Sequence, residues 1–136
     1  MGSRSLVVVP GIGNPQWYSG AARYGALIWT AGQVPTREDG STPEDFAEQV
    51  AVTLDNLERT LEAAGGGFDT LLKVNTYLES MDDFETYNAV YTARIGVYGL
   101  PSRTTVEIAR FRPPTRLEIE VVAHTRDSDE TNAQES

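Results

Sequence analysis

The stretch "PSRTTVEIARFRPPTRLEIEVVAH" holds the side chains whose types and spacing could do chemistry. It reads as two neighbouring strands joined by a proline-rich turn. Along the first strand Arg103, Thr105 and Glu107 alternate with Thr104, Val106 and Ile108. Along the second, Glu118, Glu120, Val122 and His124 alternate with Leu117, Ile119, Val121 and Ala123. If the apolar sets point inward, Arg103, Thr105, Glu118 and Glu120 share the polar side of one strand pair. An arginine fork can hold a carboxylate through two parallel charge-assisted hydrogen bonds. A carboxylate can take a proton from a water. The same letters also suit an ion pair at a strand edge, and residue types alone leave both readings open.

Composition narrows the chemistry. The chain has no cysteine, so thiol catalysis, disulfides and thiolate metal sites are excluded. With His124 as the one histidine, a zinc site would need mostly carboxylates, and no metal site is expected. A net charge of −9 argues against nucleic acid as the main partner, because phosphate backbones are held by Lys and Arg. No apolar run approaches the roughly 18 residues of a membrane span, and no signal-peptide pattern opens the chain. The expectation is therefore no membrane and a cytoplasmic location.

The elements that must position these residues fit one domain with a single core, since 136 residues with 40% hydrophobic content suit that size. "RSLVVVP" reads as an edge or first strand, and "GIGNPQW" as a loop whose lone G-x-G lacks the context of a phosphate cradle. "YSGAARYG" and "ALIWTAGQV" read as strands turning at Tyr24-Gly25-Ala26. A helix is expected from Thr42 as N-cap, with Pro43 at its first position and acids Glu44 and Asp45 on the positive end of its dipole. Its apolar stripe is Phe46, Val50, Leu54, Leu57 and Leu61, and the glycines at 65–67 stop it.

"TLLKVNTYLES" follows as a strand, with Leu72, Val74, Thr76 and Leu78 on one side and Lys73, Asn75 and Tyr77 on the other. A second helix is predicted from about Asp82 to Ile95, with Phe84, Tyr91 and Ile95 inward. Asn88 on that stripe reads first as a polar residue bonding to backbone. Trp17 and Trp29 are assigned to packing, Glu107 and Glu120 to structural pairing, and His124 to a strand end. The order is β-β-β-α-β-α-β-β over residues 1–125, followed by an acidic, aperiodic tail at 126–136 that is expected to be disordered. Two helices cover one face of such a sheet. The mixed character of the other face points to a subunit interface with a polar cleft in it.

Four stretches carry a specific resemblance. They are Tyr18 ahead of "ALIWTAGQVP", the helix "EQVAVTLDNLERTLEAAG", the segment "LLKVNTYLESMDDFETYNAVY" and "PSRTTVEIARFRPPTRLEIE". The chain resembles the RidA (YjgF) family of reactive-intermediate deaminases over residues 18–123. The resemblance implies a chorismate-mutase-like α+β subunit, a single mixed sheet with two helices packed on one face, assembling as a homotrimer. Sheets would line the inside, helices the outside, and three clefts would lie between neighbours. It implies cofactor-independent hydrolysis of enamines and imines such as 2-aminoacrylate to 2-keto acids and ammonia.

Residue by residue, the resemblance puts Arg103 on the substrate carboxylate, Glu118 with the catalytic water and Tyr18 in the cleft wall. Thr105, cysteine in many relatives, would bind ligand through its backbone. Ala31-Gly32 falls where many relatives have Ser-Gly, and Asn88 on an asparagine often found in the second helix. Two other classes stay open: a pathway-specific enzyme of this fold acting on a larger imine, and a trimer that binds small carboxylic acids without turnover. The ribonuclease and translation-inhibitor roles also described for the family sit poorly with the acidic balance.

Overall fold

The computed structural model describes residues 2–11 and 17–126. The element order is β1 (Ser5–Val7), β2 (Ala21–Tyr24), β3 (Leu27–Thr30), α1 (Phe46–Ala63), β4 (Leu71–Leu78), α2 (Phe84–Ile95), β5 (Ser102–Glu107) and β6 (Leu117–His124). The strands form one six-stranded sheet in the order β1-β2-β3-β6-β4-β5. Only β4 and β5 pair in parallel, joined by the α2 crossover, so the sheet is mixed as expected. The strand order corrects one expectation. β5 and β6 follow each other in sequence but are not neighbours, because β4 lies between them.

Both helices pack on one face, and the core lies between them and the sheet. Val50, Leu54, Leu57 and Leu61 of α1 meet Tyr87, Tyr91 and Ile95 of α2 above Ile28, Val74, Leu78, Leu117 and Ile119. The α1 stripe is the one its spacing predicts. Its cap is not Thr42: the Asp45 carboxylate accepts from the Glu48 N–H at 3.0 Å, so the helix starts three residues later. At the other end Gly65 takes φ +95° and Gly66 N–H reaches the Leu61 carbonyl, a Schellman stop. A second, polar stripe on α1 ties down the loops at the sheet's end. The buried Gln49 amide bonds the Pro43 and Pro114 carbonyls and the Arg116 N–H, and Asn56 bonds the Val34 and Thr36 carbonyls.

β4 carries a bulge between Leu71 and Lys73 that shifts its pairing with β6. Leu72, expected inward, is therefore exposed, and Leu71 packs against the core instead. No helix among the described residues is long and apolar enough to cross a membrane. The loop expected in "GIGNPQW" falls largely on residues 12–16, and the tail on 127–136, both outside the described residues. Arg126, expected in the tail, is anchored: it ion-pairs with Asp69 at 2.7 Å and donates to the Gly66 carbonyl.

Candidate functional site

The register decides which side chains meet. Arg103 pairs with Val74 and Thr105 with Thr76, and Val74 and Thr76 are buried beneath the helices. Neighbouring partners across a ladder point to the same face, so Arg103 and Thr105 lie on the helix side. Glu118 pairs with Tyr77 and Glu120 with Asn75, on the open face. The expectation that arginine and carboxylates share one side is thus corrected. The apolar letters Val106 and Ile108 suggested the wrong inner face. Val106 is in fact exposed, and Ile108 lies beyond the end of β5.

The Arg103 guanidinium nevertheless has company. It donates to Asn88 Oδ1 at 2.7 Å. Its central carbon stands 5.0 Å from the Tyr87 ring, 4.8 Å from Tyr91 and 5.7 Å from Phe84. Tyr87 and Tyr91, 5.4 Å apart by centroid, are one turn apart on α2. The Tyr87 hydroxyl bonds to the Thr76 hydroxyl, and burial pushes its pKa up to about 12. Burial raises Tyr91 as well, and the hydroxyls of Tyr91 and Thr105 are buried with no hydrogen bond to the described residues. Tyr87 is missing from the inward set predicted for α2, although its four-residue spacing from Tyr91 carried the signal.

Glu118 sits elsewhere. It lines a cleft with Tyr18, Ala31, Gly32, Gln33 and Trp29 at the β3 end of the sheet. Trp17 borders the same cleft, and with Trp29 it is exposed rather than packed into the core. Glu118 lies directly against Gly32: a Cβ built there would stand 1.8 Å from Oε2 and 2.9 Å from Cγ. The absence of a side chain at 32 is what admits the carboxylate. The Gln33–Ile119 backbone bridge, bonded in both directions at 2.7 and 3.0 Å, fixes this approach.

Burial, and after it the charge of Glu120, raises the Glu118 pKa above its ordinary value. Glu120 itself accepts from Tyr77 at 2.6 Å and from Asn75 at 3.4 Å, a structural pairing as expected, with a Tyr77 partner that sequence reasoning missed. Glu107 accepts from the Met81 N–H. The edge ion-pair alternative does not hold. Among the described residues Arg103 has no acidic partner and Glu118 no basic one.

One chain therefore brings together Tyr18, Ala31, Gly32 and Glu118 in one place, and Arg103, Asn88 and Thr105 in another. Two helices on one face of a mixed six-stranded sheet define an α+β domain. The family described as Endoribonuclease L-PSP matches residues 12–125, and the chain belongs to that family, which includes the YjgF/RidA proteins.

It is 35% identical over 105 residues to the 2-iminobutanoate/2-iminopropanoate deaminase of Escherichia coli, covering 75% of this chain and 82% of that protein. It is 36% identical over 111 residues to a RutC family protein of Pyrococcus horikoshii, covering 79% and 86%. The crystal structure of the E. coli YjgF gene product superposes with a TM-score of 0.80 at 31% identity, over 90% of this chain and 99% of that one. E. coli TdcF with bound serine superposes with a TM-score of 0.79 at 28% identity, over 88% and 98%.

Proposed function

We propose that the protein is a cofactor-independent hydrolase that converts short 2-imino acids to 2-keto acids and ammonia, in clefts between copies of the chain. The observation that carries this reading is the pair of charges unmatched among the described residues: Arg103 with no carboxylate and Glu118 with no cation. Relatives named as 2-iminobutanoate/2-iminopropanoate deaminases support the reaction class. In a homotrimer, Arg103 of one copy would meet Glu118 and Tyr18 of the next, since the two groups lie on opposite faces of one sheet, two strands apart. Exposed Leu6, Tyr24, Leu27 and Trp29 on the open face supply apolar surface for such an interface.

The chemistry follows from the groups. Arg103 holds the substrate carboxylate, with Asn88 and the Thr105 backbone shaping that end and Ala31-Gly32 the other. Water adds to the imine carbon while Glu118 takes its proton, forming a carbinolamine. The imine enters protonated, so this addition leaves a neutral amine, and Glu118 returns the proton to that nitrogen. As the C–N bond breaks to release ammonia, Glu118 takes the hydroxyl proton, leaving the keto group and passing that proton to the ammonia. A carboxylate whose proton affinity is raised serves both transfers better than an ordinary one. A 2-imino acid made in situ by an amino-acid oxidase supplies the assay, with ammonia as readout.

Arg103→Ala and Glu118→Gln should each lower turnover, the second by about ten- to a thousandfold. If each site takes Arg103 from one copy and Glu118 from the next, trimers re-formed from an equal mixture of the two variants recover about a quarter of the wild-type sites. Wild type no faster than buffer would refute the deaminase reading. Two inactive variants that stay inactive when mixed would refute the shared cleft.

A further inference from the structure

Arg103 is embedded in α2 without being neutralised by it. A guanidinium carries five N–H donors, and among the described residues its polar partners are neutral: the Asn88 amide at 2.7 Å and the Tyr87 hydroxyl. Around these lie three aromatic rings. Tyr91, Tyr87 and Phe84 all place their centroids within 6 Å of the guanidinium carbon, the range in which a ring quadrupole attracts a cation. Tyr87 is fully buried and held by Thr76, so its ring cannot swing away. Both phenols stay protonated at neutral pH because burial raises their pKa values, so neither becomes a counter-ion. Arg103 thus has a fixed orientation and an undiminished charge.

Resting on the reading of Arg103 as the carboxylate holder, we propose that Tyr87 and Tyr91 are positioning residues: a neutral aromatic clamp on the guanidinium that sets the preference for carboxylate over uncharged ligands. A salt-bridged arginine would be held equally still but would offer less charge to a ligand. A free arginine would offer the charge but lose side-chain entropy on binding. The clamp avoids both penalties.

The test compares pyruvate with its amide, pyruvamide, by calorimetry on the intact protein. Tyr91→Leu, which removes one ring, should weaken pyruvate by about 3- to 30-fold, the worth of one cation–π contact, and leave pyruvamide unchanged. Tyr91→Phe keeps the ring and should regain most of that loss. A role in packing alone would weaken both ligands alike. Asn88→Asp puts a carboxylate on the guanidinium and should cut pyruvate affinity more than tenfold with the same unfolding temperature, which keeps the idea testable should Tyr91→Leu fail to fold. A folded Tyr91→Leu protein with an unchanged pyruvate-to-pyruvamide ratio overturns the clamp, as does Asn88→Asp with undiminished pyruvate binding. Arg103→Ala separates the two levels. If it too keeps the ratio, the carboxylate-holding reading is wrong, whereas a collapsed ratio there and a normal one in Tyr91→Leu condemns the clamp alone.

Discussion

Gly32→Ala is the smallest change expected to disable the proposed chemistry. The added methyl would stand 1.8 Å from Glu118 Oε2, 2.5 Å from Cδ and 2.9 Å from Cγ. Turning the carboxylate about χ3 moves only the oxygens, and χ2 only the oxygens and the carboxyl carbon. Cγ moves only if χ1 or the backbone moves, so the whole carboxylate must leave its place. A displacement of about 1 Å in a catalytic group costs on the order of 100-fold in rate, about 2.7 kcal/mol at the transition state. Stability should barely change. Gly32 is not among the glycines with positive φ, so alanine meets no backbone strain, and the lower entropy of the unfolded chain offsets part of the rearrangement. Ammonia release measured for Gly32→Ala, Glu118→Gln and the double variant closes the cycle. Because the methyl acts through Glu118, it should cost little once Glu118 is already glutamine. Losses that multiply in the double variant, or a single variant with wild-type turnover, would refute the reasoning.

The Glu118 pKa, raised by burial and then by Glu120, places the acid limb of turnover above the pH at which an ordinary glutamate ionises. Glu120→Gln removes the smaller cause, so a pH–rate profile should show the limb shifted toward acid while staying above the ordinary value. The same shift has a stability sign. A raised folded-state pKa contributes stability that is present below the unfolded pKa and is lost as pH rises through the folded one. Glu118→Gln should therefore raise the urea midpoint at pH 7, and the gain should vanish in acid. At the start of α1, Asp45→Ala should lower stability by about 1 kcal/mol in the same titration through loss of the cap, whereas Thr42→Ala should change it by less.

What the sequence made legible is what local pattern controls. The α1 stripe and its glycine stop depend on spacing within one helix, and both are found where the letters place them. The misread start shows the limit: Thr42 and Asp45 are both good caps, and which one bonds depends on how Pro43 is pinned by Gln49. Strand faces were legible for β6, where eight residues alternate cleanly, and illegible for β5. There Val106 is exposed while Arg103 is turned inward, a choice that only the rings of α2 make tolerable. Strand order was beyond reach as well. Nothing local announces that β4 slips between two consecutive strands, and that insertion separates the arginine from the carboxylates.

That separation bears on how such a site stays useful. With a strand spacing near 4.8 Å, groups two strands apart on one face lie roughly 10 Å apart, close enough for long side chains to lean toward one another. Arg103 and Glu118 on one face would tend to neutralise each other, lowering the glutamate's proton affinity and occupying the arginine's fork. On opposite faces they cannot do so within a chain. Glu118 keeps a raised pKa because it is half-buried and because its charged neighbour is another carboxylate, itself tied to Tyr77 and Asn75. Arg103 keeps its charge because its neighbours are rings and an amide. On the proposed reading, the two halves meet only across an interface, where the substrate's carboxylate and reacting carbon lie between them. Assembly then brings the opposite charges together with the substrate as the spacer, and neither half can silence the other before that.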